Sequence, residues 1–343
     1  MSDKKTTVYG GQAVMEGVMM RGTAHYAMAV RKPNGEIHVV KRAIKNHANK
    51  RPWLKWPIIR GIAAFGSSLS MGMKILTESA EIATEGEEAE PTTRFEQFLL
   101  DKFGDKMNDV LMTVSMVVAV GIAVLLFVLL PLWIGSGLSI LVDGQFRFLG
   151  LIEGIARLLI FLAYIWLISR SKDIQRFFQY HGAEHKVING YEQGAVFAAD
   201  VMQKFSRLHN RCGTSFLLIV MVISILVFSF VNTPDIWTRI LSRLLLIPVV
   251  AGISYEVIQW AGRSQSNFVK IVSFPGLCLQ RMTTKEPDVQ QVEVALIALQ
   301  AVMEKEAEDN GAELKPENEP STESADEPEA ESSTEPRDES NAE

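Results

Sequence analysis

The sequence predicts a mainly α, polytopic integral membrane protein of about four transmembrane helices, with a small N-terminal β-hairpin element and a disordered acidic C-terminal tail. Three observations carry that expectation. Residues Val110 to Ile134 run 25 positions without a charge, longer than the roughly 20 that span a hydrocarbon core. Hydrophobic residues make up 48% of the 343, a high share once the polar tail is set aside. Residues 304–343 carry 16 acidic and 3 basic side chains, a net of −13 against −6 for the whole chain, so residues 1–303 are basic by about +7. With almost no large apolar groups, that tail cannot offset its ordering entropy and reads as disordered.

The elements follow in order. The start, MSDKKTTVYGG, lacks the apolar core of a signal peptide, so the N-terminus is expected to stay where it is made. Within residues 1–50, HYAMAVRKPNGEIHVVKRAI sets Asn34-Gly35, a favoured type I′ pair, between two strand-like runs. GGQAVMEGVMMRG lacks the spacing and context of a nucleotide loop and reads as a tight turn leading into that hairpin. Residues 51–109 hold WPIIRGIAAFGSSLSMGMKIL, a helix along the inner surface or packed on the bundle, then the acidic linker EGEEAEP and a short amphipathic helix in RFEQFLLDKFGD. The membrane domain, 110–262, has spans at Val110 to Ile134, Phe148 to Ile168, Thr214 to Val231 and Ile240 or Leu244 to Trp260. Residues 263–303 end in an amphipathic helix with Thr284 as N-cap.

Positive charge orients these spans, because Lys and Arg near span ends stay cytoplasmic. The segment before the first span and the loop from Ser169 to Gly213 are rich in both, whereas Trp133 to Arg147 and Asn232 to Arg239 hold one each. Four spans with both termini cytoplasmic satisfy every loop. Two cysteines, Cys212 and Cys278, make a disulfide framework implausible. The basic residues lack interleaved aromatics, which speaks against nucleic acid. Membrane lipids are the expected partners, with protein partners reached through the hairpin or the tail.

The most chemical stretch is HGAEHKVINGYE, from His181 to Glu192. On a helix His181 and His185 share a face with Glu184 beside them. Two imidazoles supply half of a tetrahedral zinc shell, and a neighbouring carboxylate can serve as general base toward water held there. H-x-x-E-H is the inverted form of the zinc-protease motif. Downstream, His209 and Cys212 precede the third span, and Glu256 lies near the cytoplasmic end of the fourth. The topology thus brings His181, His185, His209, Cys212 and Glu256 to one side as metal-ligand candidates, with Glu184 as the catalytic base. Three readings stay open: interface histidines bonded to headgroups, a closed structural zinc site, and an open catalytic one. Glu153 and Arg157, an i,i+4 pair inside the second span, read as an ion pair locking the bundle.

In that order, GGQAVMEGVMMRG, HGAEHKVINGYE, HNRCGTSF, SYE and TTKEPDVQQVEVALIAL resemble the YqhQ-like family of bacterial membrane proteins, domain of unknown function 1385, over about residues 8 to 303. The resemblance implies a metal-dependent enzyme with His181, Glu184, His185, His209 and Cys212 standing where the family's polar motifs stand. It implies no substrate. Two functions are therefore carried forward: a metal-dependent hydrolase, zinc the expected metal, and a non-enzymatic membrane scaffold with a structural metal site.

Overall fold

The computed structural model describes residues 8–44, 56–86, 107–141, 149–230, 236–263 and 266–309. The helix expected in RFEQFLLDKFGD and the tail from residue 310 lie outside them.

At the N-terminus, β1 (Gly10–Val14), β2 (Gly17–Arg21), β3 (His25–Arg31) and β4 (Ile37–Ala43) form an antiparallel meander in sequence order. The expected hairpin is β3 and β4, and GGQAVMEGVMMRG contributes two further strands around a turn at Met15 and Glu16. Sequence patterning hides them because β1 opens on two glycines and the sheet is buried on both faces, which removes the polar alternation of a half-exposed strand. The β3–β4 connection also differs from a type I′ turn. Gly35 N–H donates to Lys32 O at 2.9 Å, and Gly35 has φ of 87° while Asn34 stays in the ordinary region. Pro33 fixes the φ that type I requires, so the loop is a type I turn closed by a left-handed glycine.

Among the described residues ten α-helices accompany the sheet: α1 (Ile59–Ala83), α2 (Met107–Val124) continued through a π-helical turn into α3 (Leu130–Leu141), α4 (Leu149–Ile168), α5 (Lys172–Glu192), α6 (Ala199–Met202), α7 (Gly213–Ser229), α8 (Ile236–Arg263), α9 (Asn267–Thr283) and α10 (Val289–Asp309). The sheet is the middle of three layers. Val14, Met19, Tyr26, Met28 and Val30 pack on Ile75 of α1. The alternate residues Ala13, Val18, Met20, Ala27 and Ala29 pack on α5 and α10 through Ala183, Val187, Leu299 and Val302. Helix α1 therefore has two jobs, for its first turn also packs on α8, where a Cβ on Gly61 would lie 2.9 Å from Gly252 O.

Among the described residues three helices are long and apolar enough to cross a membrane, Thr113–Leu138, Gly150–Ile168 and Ile240–Trp260. The third expected span is the shorter helix α7, 17 residues of which Phe216–Ser229 form the apolar stretch. It packs between α4, α8 and α9, and Gly154 of α4 leaves room for Ile225. Helix α9 lies in what the sequence suggests is a plain cytoplasmic segment; Pro275 within it obscures the helical pattern. Its Leu279 joins Phe161 and Ile165 of α4 in a small core.

The cap of α10 is Asp288 rather than Thr284. Gln291 N–H donates to Asp288 Oδ1 at 2.7 Å and Asp288 N–H to Gln291 Oε1 at 3.0 Å, a reciprocal capping box. Thr284 instead donates its hydroxyl to Gln280 O, closing α9. The helix also runs past residue 303. Glu306, buried beneath the β2–β3 turn, accepts from Thr23 Oγ1 and Ala24 N–H. Opposite charges further organise the apolar bundle, where Glu153 pairs with Arg243 of α8 and not with Arg157.

Candidate metal centre

Helix α5 carries HGAEHKVINGYE, with the sheet on one side and the loop before α7 on the other. That double cover explains why Gly182 to Ile188 are all buried. His181 and His185, one turn apart, have ring centroids 4.5 Å from each other. Each ring is oriented by the main chain: His181 Nδ1 lies 2.9 Å from Thr283 O, and His185 Nδ1 lies 2.6 Å from Arg207 O. Only an N–H can satisfy a carbonyl, so both Nδ1 atoms carry the proton and both Nε2 atoms present a lone pair. His181 Nε2 sits 3.2 Å from Cys212 Sγ. His185 Nε2 is buried and has no hydrogen-bond partner among the described residues.

The ligand atoms of His181, His185 and Cys212 all lie within 4.8 Å of one another. Ligand atoms on a tetrahedral zinc stand about 3.5 Å apart, so small adjustments would let all three reach one ion. Tying the far nitrogen of each histidine to a carbonyl is also the usual support for an imidazole ligand. Cys212 is the N-cap of α7, accepting from Thr214 N–H at 3.4 Å, a position that favours a negatively charged ligand. The residues thus fit a divalent metal.

Burial sets the remaining electrostatics. It pushes the Glu184 carboxyl up to about 7, with Cys212 adding and His181 opposing. It holds His185 down to about 3, helped by His181, so this imidazole stays neutral as a ligand must. His209 is lowered by burial as well. Glu184, His181 and Cys212 line a cavity of about 580 Å³ that also touches β1 and the ends of α4 and α7.

The sequence candidates divide accordingly. His181, His185 and Cys212 come together with Glu184 beside them. His209 stands next to them, its ring centroid 5.8 Å from that of His185, but its Nε2 is 3.6 Å from Glu192 Oε2. Glu256 goes elsewhere: its Oε1 accepts from Arg60 Nε at 2.7 Å at the start of α1.

Sequence reasoning missed the residues that build the walls. Lys186 counts in the sequence as one more topogenic charge, yet its ammonium is buried, donates to Gln203 O and Phe205 O at 2.6 and 2.9 Å, and pairs with Glu286. Asn189 Nδ2 donates to Ser206 O and Leu208 O. Together they wrap residues 203–208 onto α5 and so place Arg207 O against His185. Gln280 brackets the main chain of His209 from both sides. On the other wall, Lys285 N–H donates to Phe178 O at 2.9 Å, and a Cβ on Gly182 would lie 2.2 Å from Lys285 O. Gly182→Ala therefore has to displace the segment that carries Thr283 O. We expect it to cost about 1–3 kcal/mol of stability by overpacking and, for a cluster that holds a metal, about 10-fold to 100-fold in metal affinity by misorienting His181. Thermal unfolding and competition with a chromogenic chelator check this; unchanged values in both would show that the loop yields freely.

Comparison with known proteins adds a family. The model of DUF1385, "Protein of unknown function", matches residues 56–305. The chain is 36% identical over 309 residues to "Uncharacterized protein YqhQ" of Bacillus subtilis (strain 168), covering 89% of this chain and 95% of that protein. No solved structure matches.

Proposed function

The chain belongs to the DUF1385 family, and from the geometry of its His/Cys cluster we propose that it is a divalent-metal hydrolase, zinc the expected metal, set at the cytoplasmic face of a bacterial inner membrane. One observation carries the reading. Two histidines anchored through Nδ1 stand with Cys212 so that one ligand atom of each lies within 4.8 Å of the others, His181 Nε2 faces Cys212 Sγ, and the buried Nε2 of His185 lacks a partner among the described residues. In this proposal His181, His185 and Cys212 hold the ion. A bound divalent metal supplies Lewis-acid activation of water and of a substrate carbonyl or phosphoryl oxygen. Glu184 takes the proton of the attacking water and returns it to the leaving group. The scaffold reading needs a fourth protein ligand, and His209 stands next to the cluster. Its Nε2 beside Glu192 and its main chain gripped by Gln280 favour the open, catalytic form. Metal analysis of the protein purified without added metal tests the proposal; about one zinc per chain, removable by chelation, is expected, and a metal-free protein would overturn it.

The membrane placement rests on apolar side chains that face outward. Val117, Leu159, Leu244 and Leu245 are all at least 60% exposed, more apolar surface than water tolerates. With α7 counted as a span, the charge asymmetry puts α5, the sheet and α10 in the cytoplasm. A reporter cysteine at Trp237 should then react with an impermeant maleimide on intact cells and one at Ala195 should not; the opposite pattern would move the site outside.

A further inference from the structure

Resting on the metal-hydrolase reading, we infer that the substrate is a polypeptide, held in extended form as an added strand along the open edge of β1 beside Glu184 and the His/Cys cluster. Among the described residues, strand β1 is the outer strand of the sheet and pairs with β2 alone. Its two-residue turn makes Val14 and Gly17 a hydrogen-bonded pair, and alternation then gives Gln12 with Met19 and Gly10 with Arg21. The N–H and C=O of Gly11 and Ala13 must therefore point away from β2. No loop or side-chain hydrogen bond among the described residues takes them up.

The cavity meets this edge. Six consecutive residues, Val8 to Ala13, line it. Four of them, Gly10 to Ala13, are in β1, where neighbouring residues face opposite sides, so a void that touches all four reaches the backbone edge. The same void is lined by His181, Glu184 and Cys212. Gly11 brings the edge against the carboxylate: a Cβ there would lie 2.7 Å from Glu184 Cγ. The opposite wall, with Phe178, Ile165, Ile168 and Leu217, is apolar and accepts the alternate side chains of an extended segment. A lipid chain would need that wall but makes no use of a row of unpaired amide groups, whereas strand addition uses both. The reaction balances with water alone. Water oxygen bonds to the scissile carbonyl carbon, the C–N bond breaks, and both water protons pass by way of Glu184 to the leaving nitrogen, giving a carboxylate and an ammonium.

The test uses the full-length, zinc-loaded protein in lipid nanodiscs and a pooled library of random peptides about ten residues long, enough to pair along one strand. The best-retained peptide is resynthesised with N-methyl groups on its odd or its even residues. Strand pairing predicts that one set weakens binding by about tenfold, the loss of one or two hydrogen bonds, while the other stays within about twofold. Ala13→Pro, which removes an edge N–H, should weaken the parent peptide in the same way. Equal effects of both N-methyl sets, or a pool in which nothing is retained above the Ala13→Pro protein, overturn the inference. His185→Ala separates it from the metal reading, since the peptide should still bind in register but remain uncut. Register-dependent binding with no cleavage by the native protein would keep the docking and sink the hydrolase. Hydrolysis of phosphatidylethanolamine vesicles without a register effect would keep the hydrolase and sink the docking.

Discussion

Glu184→Gln is expected to leave the metal bound and to lower turnover by about 10²-fold to 10⁴-fold, the range for losing general acid-base assistance. The amide keeps the shape of the carboxyl, which is buried against Gly11 of β1 where it lines the cavity, so the fold has no reason to move. What it loses is the capacity to accept a proton from water in the cavity. His185→Ala should instead lose the metal, because it deletes the nitrogen that is buried with no partner among the described residues and so opens the shell itself. Metal content of both variants, measured beside complementation of a deletion strain, separates the two functions. An enzyme predicts a metal-replete Glu184→Gln that does not complement; a structural site predicts one that does. If Glu184→Gln loses metal as completely as His185→Ala, then Glu184 is a ligand or a support for one, and its assignment as base fails.

Those residues were legible because a helix imposes its own arithmetic. His181 and His185 four apart must share a face, and Cys212 at the head of α7 had only to start at the same depth as the end of α5. Glu256 shows the limit of that reasoning. Depth along a span says how high a residue sits and nothing about which way it faces; α8 turns Glu256 toward Arg60, because α1 packs on that face through Gly61 and Gly252. The tautomers of the two histidines were illegible for a different reason. They depend on carbonyls of Thr283 and Arg207, and a backbone acceptor leaves no mark in side-chain identity. The sheet was half legible, since β3 and β4 alternate around a turn signal whereas β1 and β2 are short, glycine-led and covered on both faces.

Arg243→Leu is expected to destabilise the apolar bundle by about 3–5 kcal/mol, the cost of breaking a buried ion pair from one side. The sequence pairs Glu153 with Arg157 because they are four apart on one helix. The structure breaks that pairing through a proline. Pro131 has no N–H to return to the carbonyl four residues back, Phe127 O, and Arg157 Nε donates to that oxygen at 2.8 Å. Its guanidinium also lies 5.3 Å from the centre of the Phe228 ring. Arg157 is thus committed to mending a helix, and Glu153, 1% exposed, takes its counter-charge from Arg243 on α8, 3% exposed. Neither member of this pair can be solvated by turning outward. Gly135 of α3 is closed over Glu153, where a Cβ would lie 2.4 Å from Glu153 Cγ. Removing Arg243 alone should therefore cost far more than removing both charges, since Glu153→Leu with Arg243→Leu replaces a desolvated pair by apolar volume and is expected to fall within about 1–2 kcal/mol of the parent. The four corners of this cycle can be read from unfolding midpoints in mixed micelles. A coupling near zero would mean that Glu153 is neutralised by another group, and that the pair between helices does not hold the bundle together.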